Sequence, residues 1–301
     1  MTKPSLLMDI GGTNTRLGLS HGGALDPASV QIFRNADHPG PEALIESYLK
    51  GRPIAAIAAG VAGPVQAGAA QLTNIDWHLD AANLARLTGA RTAHLINDLQ
   101  AQGYALDDLP PESVTEILPG RPVRGTRLVL GLGTGCNIAA VYRAGAQLFV
   151  PPSETGHTRL PHMPDLPEGL MEHLARAAPH LPIEAVLSGP GLTRIAAWVG
   201  EGTDLPGLLL DPEQRTTQIT LHVLAHVVGD LALTHLPTEG ITLIGGLARA
   251  LAPHLTRPEF TEPAQAKGPY RAIAAAISLR ILHDDTAALI GCARYLRQIT
   301  P

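Results

Sequence analysis

The sequence predicts an α/β protein of two related domains, and three observations carry that expectation. Short apolar runs that stop at glycine or polar residues alternate with segments of helical spacing along the chain. One plan, an apolar run, a Gly/Thr/Asn turn and a second apolar run, occurs twice: "LLMDIGGTNTRLGLSHGGAL" near the start and "LVLGLGTGCNIAAVYRAGAQL" about 120 residues later. That period is too long for a solenoid repeat and suits a pair of domains. The proline-bearing stretch "DDLPPESVTEILPGRP" falls between the copies and reads as the crossover loop.

The elements follow in order. "SLLMDI" predicts a buried strand, with "TRLGLS" as its partner through the glycine turn. "EALIESYLKG" has helical spacing. "AAIAAGVAG" and "TAHLIND" are further strands. Between them "LDAANLARLTGA" predicts a helix with Asp80 as N-cap and Gly89 as the left-handed residue past its end. "LQAQGYAL" is the next helix, and residues 126–145 read as strand, glycine turn, strand. Residues 199–215 read as a helix connection on the larger domain. "TQITLHVLAHVVGDLALTHL" is a long helix, "GITLIGG" a strand ending in two glycines, and "TAALIGCARYLRQI" the closing helix.

Composition limits the function classes. With 301 residues, 45% of them hydrophobic and 16% charged, the chain can bury a sizeable core in one large or two medium domains. A net charge of −5 and a pI near 6.2 leave no basic face for a nucleic acid. The two cysteines, Cys136 and Cys292, are far apart and fit a reducing compartment. An acid and paired glycines break the first apolar run before it reaches the length of a signal segment, and no run approaches the ~20 residues of a membrane span. The expectation is a soluble cytoplasmic protein with no membrane or nucleic-acid partner.

Glycines and small hydroxyl residues let backbone N–H groups point inward and approach an anion closely. Two such turns on facing domains would clamp a polyphosphate. Only the first follows an acid. Asp9 would hold the metal that neutralises the phosphates, through water, because Mg²⁺ dehydrates reluctantly. The second turn, Gly133-Thr134-Gly135, would supply donors alone. The plainer alternative is two ordinary glycine hairpins. Neither G-x-x-x-x-G-K-[ST] nor a G-x-G-x-x-G between strand and helix occurs.

In "LINDLQAQG" a buried strand delivers Asn97 and Asp98 to its end. A carboxylate there can accept the proton of a substrate hydroxyl while the amide orients the substrate; alternatively Asp98 is merely the N-cap of the next helix. "SETGHTRLP" places Glu154 and His157 in a glycine-containing loop, and Glu184 precedes a "SGPG" turn. Two carboxylates and an imidazole without surplus cations suit a polyol, since one carboxylate accepts from two vicinal hydroxyls. The plainer roles are a solvated helix residue for Glu184 and a backbone-bonded loop histidine for His157. "TNIDW" brings Asn74 near an aromatic and suits the same site.

Taken as an ordered set, these motifs resemble the bacterial glucokinases, in the superfamily that unites hexokinase, actin and the heat-shock chaperones. "DIGGTNTRLGL" and "GLGTGCNIAAV" are similar to the family's two phosphate motifs, and "LINDLQAQGYAL" to its catalytic-aspartate segment. "SETGHTRLP" resembles the sugar loop, "VLSGPGL" the hinge, "GDLALTHLPTEGITLIGGLA" the adenosine segment and "ILHDDTAALIGCARYL" the last helix. The matches span essentially the whole chain. The resemblance implies a two-domain actin-like ATPase (ribonuclease H-like) fold with an interdomain cleft, a small domain of residues 1–109 with 284–301 and a large one of 110–283. It implies ATP-dependent phosphorylation of glucose at the 6-hydroxyl, with Mg²⁺. Asp98 would be the base, and Asn97, Glu154, His157 and Glu184 sugar ligands. Asp9, Gly11, Gly12, Thr13 and Asn14 would meet the phosphates and Mg²⁺, Gly133, Thr134 and Gly135 their other side, and Gly245 and Gly246 the adenine. Family members often form homodimers, with which the low charge is compatible.

Two departures stand out. Asn137 occupies a position where glycine is usual in the second phosphate turn; asparagine tolerates the left-handed region, so the turn is expected to persist, with nucleotide affinity the property at stake. "GHTRLPHMPDLPEG" lacks the cysteines of a related zinc-bearing branch, so no structural zinc is expected. Only eight residues precede Asp9, too few for the DNA-binding helices of the related repressors. A kinase for another hexose or amino sugar, and a non-catalytic sugar sensor, remain open alternatives.

Overall fold

A computed structural model describes residues 3–72 and 75–299. In chain order the strands and helices are β1 (Ser5–Ile10), β2 (Asn14–His21), β3 (Ala24–Arg34), α1 (Pro41–Leu49), β4 (Ala56–Val61), β5 (Val65–Gln66), β6 (Ala69–Gln71), β7 (His78–Asp80), α2 (Ala81–Thr88), β8 (Thr92–Asn97) and α3 (Asp98–Ala105). After them come β9 (Val114–Leu118), β10 (Arg127–Leu132), β11 (Cys136–Ala144), β12 (Gln147–Phe149), α4 (Leu170–Ala175), α5 (Gly189–Val199), α6 (Leu205–Leu210) and α7 (Arg215–His235). The chain finishes with β13 (Ile241–Ile244), α8 (Gly246–Leu251), α9 (Pro258–Gln265), α10 (Arg271–Ala276), β14 (Leu279–Leu282) and α11 (Ala287–Ile299).

The chain divides into two compact units. The first takes residues 1–111, 144–152 and 284–301, and the second 112–143 and 153–283. In the first unit a five-stranded sheet runs β3-β2-β1-β4-β8, with β1–β2 and β2–β3 antiparallel and β1–β4 and β4–β8 parallel. Every residue of β4 is buried, as expected for a parallel strand covered on both faces. Leu6, Met8, Ile10, Leu17, Leu44, Ile45, Ile57 and Leu84 fill the core on one face. α11 lies against α3, and the close approach depends on Gly291, where a Cβ would meet Ala101 O at 1.6 Å. At the end of α3, Arg294 Nη1 donates to Asp108 Oδ1 at 2.7 Å and Arg297 Nη2 to Asp108 Oδ2 at 2.5 Å. Residues 144–152 group with this unit through hydrogen bonds: Gln100 Nε2 donates to Val150 O at 2.7 Å and Gln298 Nε2 to Leu148 O at 3.0 Å.

The second unit repeats the plan. β10 pairs antiparallel with β11 and parallel with β13, and β13 parallel with β14, as β1 does with β2 and β4, and β4 with β8. β9 closes the edge antiparallel to β14. It lies inside the stretch expected from the sequence to be the crossover loop: the prolines sit at its flanks, at 110, 111, 119 and 122, leaving 114–118 free to pair. α7, 21 residues long, buries an apolar face against the core around Leu130, Ile195, Phe260 and Leu251. Residues 199–215 contain α6, capped by Asp204, whose Oδ1 accepts from Gly207 N at 3.3 Å. The N-cap and C-terminal residues expected for α2 are Asp80, accepting from Asn83 N at 2.7 Å, and Gly89 at φ 68°.

Candidate active site

In each unit the chemistry gathers at one sheet edge. Asp9 is the penultimate residue of β1 and lies in register with Gly60 of β4. Gly60 in turn pairs with Ile96 and Val61 with Asn97 of β8. Asp9 and the Asn97-Asp98 pair therefore reach the same carboxyl edge of three neighbouring parallel strands, the edge at which open α/β sheets take their ligands. At the usual interstrand spacing the first and third of those strands are about 10 Å apart.

The Asp9 side chain is 14% exposed, and Arg16 Nη1 donates to its Oδ2 at 3.3 Å. Burial pushes the Asp9 carboxyl up to about 6; Arg16 opposes that rise and Asp285 adds to it. The turn that follows closes on itself, Gly11 N donating to Asn14 O at 3.0 Å, and leaves Thr13 and Asn14 exposed. Asn35, 1% exposed, braces it from below. Its N–H donates to Thr13 O at 2.9 Å, its Nδ2 to Gly11 O at 2.7 Å, and its Oδ1 accepts from Thr15 Oγ1 at 2.8 Å.

Asn97, not Asp98, caps α3. Its Oδ1 accepts from Leu99 N at 2.9 Å, and Gln100 Oε1 accepts from Asn97 N at 2.9 Å, a reciprocal capping box. Asn97 Nδ2 donates to Gly63 O at 3.2 Å. Asp98 is the first helical residue and half-buried, with Oδ1 accepting from Leu99 N at 2.8 Å. Asn74 lies outside the described residues.

In the second unit the turn after β10 is held by Gly133 N on Gly135 O and by Gly189 N on Gly133 O, both 2.9 Å. Glu184 stands over it: its Oε2 accepts from Cys136 N at 2.8 Å, and a Cβ on Gly135 would come within 2.6 Å of that oxygen. Ser188 Oγ donates to Glu184 O at 2.8 Å and caps α5 by accepting from Gly191 N at 3.1 Å. The 153–158 loop folds into a tight turn, His157 N donating to Glu154 O at 3.0 Å, with both side chains exposed. Partial desolvation lifts the Glu154 carboxyl above its ordinary range, His157 opposes the rise, and Glu184 adds to it. Gly245, at φ 97°, lets the end of β13 pass the end of β10: a Cβ there would lie 2.2 Å from Leu132 O. Gly246 begins α8. Asn137 is extended backbone within β11 and needs no left-handed conformation, so the turn keeps its shape for a simpler reason than the sequence suggests.

Comparison with known proteins decides the family. The Glucokinase family model matches residues 6–299. The chain is 32% identical to the glucokinase of Caulobacter sp. (strain K31), covering 96% of this chain and 93% of that one. It is 28% identical to the glucokinase of Agrobacterium fabrum, over 98% and 92% of the respective chains. The chain belongs to the glucokinase family. The crystal structure of a glucokinase from an Antarctic psychrotroph superposes with a TM-score of 0.83 at 27% identity, over 99% of this chain and all of that one. The fold is that of the actin-like ATPases.

Within this glucokinase-family fold the residues fit a divalent cation at Asp9. A carboxylate whose charged form burial disfavours gains most from a nearby cation, and Arg16 occupies only Oδ2. Among the described residues no three His, Cys, Asp or Glu side chains form a metal cage. One carboxylate plus waters and substrate phosphates is the usual arrangement for Mg²⁺. Asn35 is a brace of the first turn that the sequence analysis did not single out, and Asn137, noted there for its backbone alone, reaches the 153–156 loop through its amide; the N-x-x-Q spacing of Asn97 and Gln100 is the signal that marks the observed cap.

Proposed function

We propose that the protein phosphorylates glucose at its 6-hydroxyl with ATP. The observation that carries this reading is the delivery of Asp9 and Asp98 to one edge of one sheet, by strands either side of β4. A polyphosphate held at the first turn and a hydroxyl at Asp98 are then neighbours. Asp98 orients the hydroxyl and takes its proton late, as the bond from its oxygen to the γ-phosphorus forms and the bond from that phosphorus to the departing ADP breaks. Gly12, Thr13 and Asn14 meet the phosphates, on a turn that Gly11 closes through its own N–H on Asn14 O and that Asn35 keeps in place. Mg²⁺ at Asp9 would neutralise the phosphate charge. The second turn, closed by Gly133 N on Gly135 O, adds Thr134 and Gly135 as donors to the nucleotide, and Gly245 and Gly246 leave room for its base. Asn97, Glu154, His157 and Glu184 take the other sugar hydroxyls. The two buried free thiols suit the reducing cytoplasm.

An ADP-release assay over a panel of hexoses tests the reading. Turnover is expected with glucose ahead of mannose, fructose and amino sugars. A preferred sugar other than glucose reassigns the substrate. Sugar binding with no turnover on any hexose makes the protein a sensor and refutes the kinase.

A further inference from the structure

The first two residues of β11 each hold one carboxylate. Cys136 does so through its backbone N–H on Glu184 Oε2, a bond open to any residue except proline. Asn137 does so through its side chain: Nδ2 donates to Ser153 O at 2.6 Å and to Glu154 Oε2 at 3.2 Å. The same amide's Oδ1 accepts from Ile138 N at 2.8 Å and receives a longer contact from Gly156 N at 3.5 Å. One carboxamide thus ties strand β11 to three successive parts of the 153–156 loop. The loop cannot withdraw to compensate, because Gly156 packs on the strand so closely that a Cβ there would meet Cys136 O at 1.6 Å. Glu154 is an exposed side chain in the negative field of Glu184, and the Asn137 amide is the donor that fixes where its carboxylate points.

We propose that Asn137 is a positioning residue for the sugar: by aiming the Glu154 carboxylate it sets which ring hydroxyls are accepted. This rests on the reading of Glu154 as a sugar ligand. A carboxylate accepts two vicinal hydroxyls well only when its lone pairs are aligned with both, so its rotamer is a stereochemical filter. Glycine at 137 would leave the turn intact and the filter loose.

The test uses the full-length protein and the variants Asn137→Gly, Asn137→Asp and Glu154→Gln. Sugar KM, nucleotide KM and kcat are measured with glucose and its C2, C3 and C4 epimers, mannose, allose and galactose, and glucose binding is followed by calorimetry. Freeing one restrained side chain should raise the glucose KM by roughly 3–10-fold. The nucleotide KM should stay within about twofold, and the glucose preference over the epimers should shrink unequally among ring positions. Asn137→Asp keeps the acceptor toward Ile138 N but sets a second negative charge against Glu154, so its glucose KM should rise further. A glucose KM and epimer ratios that match the parent in Asn137→Gly overturn the proposal, as does a shift confined to the nucleotide KM or to thermal stability. If Glu154→Gln binds glucose as the parent does, the sugar-ligand reading of Glu154 fails and takes the inference with it. If Glu154→Gln weakens binding while Asn137→Gly does not, the inference fails alone.

Discussion

At the scale of single residues the proposed site turns on two aspartates, Asp9 and Asp98. Asp9 is ionised at a cost: its carboxyl sits near 6 because burial outweighs Arg16. A raised folded-state pKa contributes stability that is present below the unfolded value of 3.8 and lost as pH climbs through about 6. A rise of that size corresponds to about 3 kcal/mol. Asp9→Asn should therefore melt higher than the parent at pH 7.5 in the absence of ligands, with the gap closing toward pH 4, while losing activity. Thermal melts at the two pH values decide it, and a variant less stable at pH 7.5 would show that Arg16 governs Asp9 instead. Asp98 is the first residue of α3. Replacing it with asparagine should lower kcat by about 10²–10⁴-fold while glucose binding is largely kept. Near-normal turnover in that variant would remove Asp98 from the role of base.

At the scale of elements, each turn at the site is braced by residues distant in sequence. Asn35, just past the end of β3, satisfies two carbonyls of the first turn and one buried hydroxyl. Asn35→Ala leaves Gly11 O and Thr15 Oγ1 without that partner, at about 1–3 kcal/mol for each buried group. The expected outcome is a lower urea midpoint and a nucleotide KM raised several-fold at unchanged sugar KM; an unchanged nucleotide KM would confine Asn35 to stability. α3 and α11 meet through Gly291, where added bulk would strike the Ala101 backbone, which cannot swing aside as a side chain can. Gly291→Ala should cost about 1–3 kcal/mol or more by overpacking. The same change at Gly202, where a Cβ meets nothing within 4 Å and the backbone is not left-handed, is the control for glycine effects as such.

At the scale of the molecule, the first unit is assembled from three separate stretches of chain. Its last helix buries Leu289, Cys292, Ala293 and Leu296, and Cys292 Sγ donates to Met8 O at 3.6 Å beneath Asp9. Burying a leucine contributes about 1.5–3 kcal/mol against a total stability of about 5–15 kcal/mol for a typical domain. A chain truncated after residue 283 should fail to form a cooperative first unit. Loss of its thermal transition by calorimetry is the expected result, and a sharp transition with intact activity would show that α11 is dispensable. No helix among the described residues is long and apolar enough to cross a membrane.

Much of this was legible in one dimension because the relevant signals are local. Apolar runs marked the buried parallel strands, Asp80 and Gly89 the ends of α2, and two copies of a strand–glycine turn–strand plan announced two units with the same strand pairing. The strand β9 hidden between prolines, the attachment of residues 144–152 to the first unit, the brace at Asn35 and the reach of Asn137 to Glu154 were settled only by tertiary structure. Each depends on a partner 16 or more residues away in the chain, and periodicity and turn chemistry report only on neighbours a few residues apart.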